Sequence, residues 1–563
     1  MDSINKPLQF PTLRGLVSGP QSLLTPLHLG ALCVALGVLT PIIALIWQAT
    51  QADLSHWDNL LTYVLPAALK NTVLLLAGVA VMVGVIGVGS AWAVTAWDFP
   101  GRKILSWALL LPLAMPTYIV AFAWLDLLHP IGPLQTFIRF LLGFDSPRQF
   151  RLPDLRSLSG AIILLGLVLY PYVYLTTRAM FISQPAHLLE AARTLGCSAT
   201  GTFFRVALPM ARPALAVGIS LALLETLNDI GASEFLGVQT LTVTVYTTWI
   251  SRSDLSAAAQ IACMMLMFIF LILTLEFYGR RKQGFSSRSL REIQPTRVQG
   301  WRGWLLGGVI SLPVLLGFLA PVLFLMWESA KRIGDENPLS SSLLSALQNT
   351  LSLAAGTTLV VVCVSMLVAW SARHSAADNA MPGFRRGVMR LASLGYAVPG
   401  TILAIGFLTP AMAVDRWLAD LLDVRGLPLM SAGILLVICC AMRFQAIAIG
   451  ALDSGLGRIP PPSLEQASRL LGENGAGTFA RIHFPLLRPA LVSSALLVFA
   501  DAMKELPTTL LLRPVNFETL ATLLYAEAAR GTYEEGAIAA LMIVLAGTLP
   551  VILLVRHQMT RRG

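Results

Sequence analysis

Three observations predict an all-α polytopic membrane protein made of two tandem six-helix halves, about 12 transmembrane helices in all. Of 563 residues, 56% are hydrophobic and only 12% are charged, about half the charged share of an ordinary soluble domain. Apolar stretches of about 20 residues, the length that crosses a bilayer as a helix, recur from one end of the chain to the other. One polar segment also occurs twice: residues 189–215 and 465–491 match without gaps at an offset of 276, with 13 of 27 positions identical. A repeat of that length marks an internal duplication. Neither copy is apolar enough to cross a bilayer, and both lie between long apolar runs, so both emerge on one face of a membrane.

The spans follow in order. The first half, 27–278, carries them near 27–48, 71–97, 104–125, 158–180, 213–233 and 257–278; the second, 303–555, near 303–327, 349–372, 388–411, 432–451, 487–512 and 536–555. The runs are too long and continuous for barrel strands, which leaves helices as the way to satisfy backbone groups in lipid. Asn71-Thr72 and Asn349-Thr350 open the second span of each half, and Pro100-Gly101 and Pro382-Gly383 follow it, as caps and breaks that start and stop helices. Pro116 and Pro399 predict kinks in the third spans by removing a backbone donor. The segment 1–26 is polar, and the span after it is longer than a signal-peptide core, so it reads as a retained helix.

Charge sets the orientation. With both termini and the repeated loops cytoplasmic, the cytoplasmic side carries 27 Lys/Arg and 9 Asp/Glu and the other side 13 and 21, the basic excess inside that membrane insertion favours. The net charge of +10 thus reflects topology rather than nucleic-acid binding. The acidic outer face is compatible with a cationic cargo. Residues 279–302, with seven Lys/Arg and one Glu, read as a basic cytoplasmic linker, and 556–563 as a cytoplasmic tail. An even number of spans before the linker makes the halves parallel, related by an axis along the membrane normal. The six cysteines fall in spans or the repeated loop and imply no disulfide framework.

In the first loop Glu190, Ala191, Ala192 and Gly196 lie on a short helix that breaks at glycine; Gln466, Ala467, Ser468 and Gly472 hold the same places in the second. Small residues let another protein approach the backbone closely, and glycine allows a turn closed to other residues. Each copy then ends in F-x-R-x-x-x-P-x-x-R-P-A-L. The E-A-A-x-x-x-G spacing, once per six-span half, resembles the signature of binding-protein-dependent ABC importer permeases of the type I (MetI-like) fold. The resemblance implies that these loops couple to two copies of an ABC ATPase subunit, which bind ATP and magnesium. It also implies a periplasmic substrate-binding protein and a multi-pass location in a bacterial inner membrane, in contact with lipid. No cofactor is implied for this chain itself. Gln466 departs from the usual glutamate, so two unequal coupling contacts are expected.

After the first loop comes Glu225-Thr-Leu-Asn-Asp229-Ile-Gly231, and after the second Asp501-Ala-Met-Lys504-Glu505-Leu-Pro507. These stretches resemble the paired motifs of fused ferric-iron permeases, whereas thiamine, polyamine and phosphonate permeases fit them less well. The residues also speak for themselves. At the offset of 276, Glu225 maps onto Asp501 and Asp229 onto Glu505, so carboxylates four apart appear in both halves, a spacing that shares one helix face. Carboxylates inside a membrane are costly unless they face a polar interior. The four acids are therefore expected on the translocation path or its gate, and transient Fe3+ ligation by them is a further reading, since hard ions take oxygen ligands. Lys504, beside Glu505, is the candidate that would neutralise it.

There is no Gly-Lys pair, hence no phosphate-binding loop of the Walker A kind, so the chain reads as a non-ATPase subunit rather than an enzyme. The seven histidines lack metal-ligand spacing. A twelve-span secondary transporter would share the two parallel halves but does not account for the repeated docking loop.

Overall fold

The computed structural model describes residues 26–51, 60–280, 294–333, 340–377, 382–424, 426–457, 468, 470–473 and 475–560. Among the described residues, ten helices are long and apolar enough to cross a membrane, or eleven if the bent pair Arg102–Ala114 and Thr117–Leu127 counts as one span. The last helix, Tyr533–Thr560, carries a shorter apolar stretch, Gly536–Pro550. Exposed side chains such as Val81, Val85, Met267 and Phe270 form the faces that lipid would cover.

Both halves bend their third span in the same way. In the first, a 3-10 turn at Leu111–Ala114 leads to Pro116, which caps the helix Thr117–Leu127. In the second, the turn is Leu394–Ala397 and Pro399 caps Gly400–Leu422. A proline with ψ near 145° cannot continue the preceding turn, so the break at Pro116 reaches 92°. That is a change of direction, larger than the kink the sequence predicts.

The fifth spans end earlier than expected, at Asn228 and Met503. The residues that follow form short helices, Gly231–Phe235 and Leu241–Arg252 in the first half and Pro507–Leu512 and Leu520–Arg530 in the second. The Asn-Thr pairs hold these helices rather than starting a span. They lie inside Leu65–Ala96 and Ser341–Ala377. The Asn71 amide donates to the Gln239 carbonyl at 3.1 Å, and Thr72 Oγ1 accepts from the Leu241 N–H at 3.0 Å. Asn349 donates to the Glu518 carbonyl at 2.9 Å, and Thr350 accepts from Leu520 at 2.8 Å. Thr350→Val keeps the shape and leaves the buried Leu520 N–H without an acceptor, which costs about 1–3 kcal/mol. A lower unfolding temperature in detergent is expected, and an unchanged one would remove the clamp.

The first span of each half crosses to the other half. Pro26–Thr50 packs on Gly400–Leu422, and its Pro41 carbonyl sits where a side chain at Gly406 would stand. The helical segments of 301–333 pack on the first half, with Leu316 O accepting from Trp124 Nε1 at 3.0 Å. Gln48 ties the crossing by donating to Ser256 Oγ and accepting from Thr409 Oγ1. The end of the linker is fastened as well. Thr296 and Arg297 pair in parallel with Trp97 and Asp98, and Asp98 lies 3.7 Å from Arg102 and 3.9 Å from Arg297.

Candidate functional site

Two places carry chemistry. The first is the pair of repeated loops. Helix Ala186–Thr194 buries Leu189 and Ala192 and leaves Glu190, Ala191, Arg193 and Thr194 exposed. It stops at Gly196, with φ +86°, and Cys197 N–H closes onto the Ala192 carbonyl at 3.0 Å, a left-handed helix terminator that suits glycine. Gly472 repeats this with φ +84°, and Glu473 N–H reaches the Ser468 carbonyl at 3.1 Å. Buried Ser468 also shares a 2.8 Å hydrogen bond with Thr478. Gln466 and Ala467 lie outside the described residues.

The rest of each repeat anchors the loop. Phe203 meets Trp92 at 5.1 Å between ring centroids, and Phe479, its counterpart, meets Trp370 at 4.7 Å. Both phenylalanines open a π-helical turn, Phe203–Ala207 and Phe479–His483, just before Pro209 and Pro485. Proline lacks the N–H that a regular α-turn would use, and the wider turn absorbs that loss. Residues that the spacing argument passed over project from the tips: Leu195 is 85% exposed, its counterpart Leu471 84%, and Leu470 88%. The identity of Leu195 and Leu471 in the repeat was the available signal.

The second place is a cavity of about 120 Å³ where the halves meet, lined by Glu225, Asp229, Asp501 and Glu505 together with Tyr172, Tyr396, Arg443 and Lys504. The four acids do converge, although not by sharing a helix face. Asp229 and Lys504 are the residues that cap the ends of the fifth spans, so Asp229 and Glu505 lie just past those ends. Each accepts from the backbone three residues on, Asp229 from Ala232 at 2.8 Å and Glu505 from Thr508 at 3.0 Å, and so caps the short helix that follows. Asp229 Oδ2, also buried, has no partner of good hydrogen-bond geometry among the described residues.

The cations are placed differently from the expectation. Lys504 pairs with Asp501 at 2.8 Å, while Glu505 is held by the buried guanidinium of Arg443. Arg443 lies in the middle of the span Ile434–Leu456, and an arginine at such a depth is itself a functional signal that the sequence reading did not use. Tyr396 Oη donates to Glu225 at 3.4 Å. Four carboxylates against two cations leave the lining with a formal net charge of −2. Among the described residues, no group of three or more His, Cys, Asp or Glu side chains is disposed to hold a metal ion. The acids share a cavity in this conformation rather than a coordination sphere.

The halves touch across this cavity in matching ways. Gly400 N–H donates to Asn228 Oδ1 at 2.8 Å, and Tyr118 Oη donates to the carbonyl of Lys504, the counterpart of Asn228, at 3.3 Å. The elements that bend at Pro116 and Pro399 thus abut the ends of the opposite half's fifth span.

The profile of the family described as binding-protein-dependent transport system inner membrane component matches residues 84–282 and 376–562. An Fe(3+)-transport system permease protein, FbpB 2 of Haemophilus influenzae, is 26% identical over 536 residues, covering 93% of this chain and 96% of its own length. A ferric transport system permease protein FbpB of Actinobacillus pleuropneumoniae is 23% identical over 420 residues, 70% of this chain and 57% of its own. A sulfate transport system permease protein, CysT of Salmonella typhimurium, is 29% identical over 264 residues, 45% of this chain and 92% of its own.

Proposed function

The chain belongs to the family of binding-protein-dependent transport system inner membrane components, and from that premise we propose that it is the fused transmembrane subunit of an ABC importer for ferric iron. The observation that carries the cargo is the acidic cavity between the halves. A trivalent cation meets a lining of net charge −2 there, with carboxylate oxygens of the kind hard ions prefer. The likeness to an Fe(3+) permease over nearly the whole of both chains supports the same cargo. The sulfate relative matches less than half of this chain, and sulfate or a phosphonate would be repelled by that lining. A polyamine or thiamine would not be repelled, and uptake separates them from iron.

In this reading a soluble binding protein delivers iron to the face opposite the docking loops. Two ATPase subunits receive Leu195 with the Glu190 helix on one side and Leu470 with Leu471 on the other, and ATP-driven closure exposes the cavity to each face in turn. The test is uptake of radiolabelled ferric iron into vesicles carrying the chain, its ATPase and candidate binding proteins, with spermidine, thiamine and sulfate as competing cargoes. ATP-dependent uptake of one of these without iron would overturn the cargo.

The orientation yields its own measurement. Asp145 and Thr194 are both exposed. In a cysteine-free background in intact cells, a cysteine at position 145 is expected to react with an impermeant reagent and one at position 194 to stay protected. The opposite pattern would place the docking loops outside and end the coupling argument.

A further inference from the structure

Beyond the acidic cavity, on the side away from the docking loops, three oxygen-bearing side chains meet across the two halves. Thr72, which holds the start of Leu241–Arg252, lies 20 residues before Trp92 on one helix, a rise of about 30 Å. Trp92 packs against the first docking loop. The helices Leu241–Arg252 and Leu520–Arg530 therefore sit at the far end. Tyr246 and Tyr525 are each the sixth residue of their helix, and so are equivalent in the duplication.

Equivalent residues that touch must lie near the pseudo-twofold axis, along which a central pathway runs. The Tyr246 and Tyr525 rings meet edge to face at 6.3 Å. Tyr525 Oη donates to Glu234 Oε2, and Phe235 stacks on the Tyr525 ring at 5.7 Å. Glu234 lies on the same short helix as Gly231, which lines the acidic cavity, one turn away. The neighbouring cation, Arg513, is engaged by Glu518.

We propose that Tyr246, Tyr525 and Glu234 form an outer acceptor site for the ferric cargo, upstream of the acidic cavity. The proposal rests on the ferric reading of the cavity. Two phenol oxygens and a carboxylate are hard donors, the class a trivalent iron ion takes in preference to softer ligands. On binding, each phenol oxygen forms a bond to iron and releases its proton to water; the Tyr525–Glu234 hydrogen bond breaks and frees the carboxylate to ligate. Iron stays ferric throughout, so no reductant is needed. The ring contact of Phe235 with Tyr525 persists, which keeps that phenol in place as the metal passes to the carboxylates beyond.

Phenolate bound to ferric iron absorbs visible light, a signature that carboxylates alone do not give. The purified full-length chain, assembled with its ATPase in detergent, is titrated with ferric nitrilotriacetate in nucleotide-free and ATP-bound states. A saturable visible band is expected in at least one state, lost in Y246F/Y525F and requiring roughly tenfold more iron in E234Q. Phenylalanine keeps the ring packing, so the double variant is expected to retain the unfolding temperature and the bound ATPase. No band in either state, or a band undiminished in Y246F/Y525F, overturns the site. Ferric uptake is measured in parallel. Uptake without a band overturns this site and leaves the ferric reading standing, whereas absence of ferric uptake by the wild-type importer overturns the ferric reading itself.

Discussion

Replacing Gly196 and Gly472 together with valine is expected to abolish ATP-dependent uptake while the chain still inserts and folds. Both glycines have φ near +85°, a conformation that costs other residues about 1–2 kcal/mol each. Among the described residues, nothing beyond the chain neighbours lies within 4 Å of a side-chain carbon added at either position. The penalty therefore falls on the local turn that presents the docking surface, and a loop that relaxes out of the left-handed turn re-aims the leucines beside it. Leu195, Leu470 and Leu471 stand almost fully in solvent, and covering a leucine completely is worth about 1.5–3 kcal/mol. Serine at Leu195 and Leu471 should thus weaken ATPase binding at each loop with little effect on thermal stability. Measurements of ATPase co-purification and uptake check both sets of variants. Wild-type uptake by the glycine double variant would sink the coupling assignment. Glu190→Ala is expected to cost more activity than Gln466→Ala, because the first loop carries the usual glutamate.

Much of this was legible because duplication writes the same physical constraint twice. Glycine at 196 and 472 could be read as a turn because it ends a short helix unchanged in both copies while residues beside it change, Cys197 to Glu473 among them, and both positions have positive φ. The spans were legible as runs of apolar residues, but their ends were not. Where Asn228 stops a helix and Asp229 begins to cap the next, the polar residues were read as one face of a continuous helix, and spacing alone does not tell a polar face from a helix end inside a membrane protein's core. The Asn-Thr pairs were visible as repeats yet misread as helix starts. Their partners, Gln239 with Leu241 and Glu518 with Leu520, lie about 170 residues away in sequence, and a single sequence carries no record of contact at that range. Arg443 was missed for a related reason. No charged residue lies within a turn of it in sequence to advertise a pair, and its partner Glu505 lies 62 residues on, just past the end of the next span.

Neutralising the cavity acids is expected to separate into two kinds of effect, and Arg443 decides which. Glu505 is 5% exposed and Arg443 7%. Glu505 accepts hydrogen bonds from the Thr508 N–H and hydroxyl while pairing with the guanidinium. Glu505→Gln leaves that guanidinium buried without its counter-charge, a loss of about 3–5 kcal/mol for a broken buried pair. Poor yield and a lowered unfolding temperature are the expected result. Adding Arg443→Met removes the orphaned charge and should recover most of the loss, since replacing both members of a buried pair by neutral groups is often close to neutral. Glu225 is different: Tyr396 is its neutral hydrogen-bond donor, and glutamine can accept the same bond. Glu225→Gln is therefore expected to fold and dock its ATPases normally while ferric uptake falls. In the Arg443→Met background, Glu225→Gln, Asp229→Asn, Asp501→Asn and Glu505→Gln together remove all four carboxylates and leave Lys504 as the only charge on the lining. Such a cavity repels a trivalent cation. If that variant assembles with its ATPase and imports ferric iron at the wild-type rate, these acids lie off the path, and the ferric reading would rest on likeness to its relatives alone.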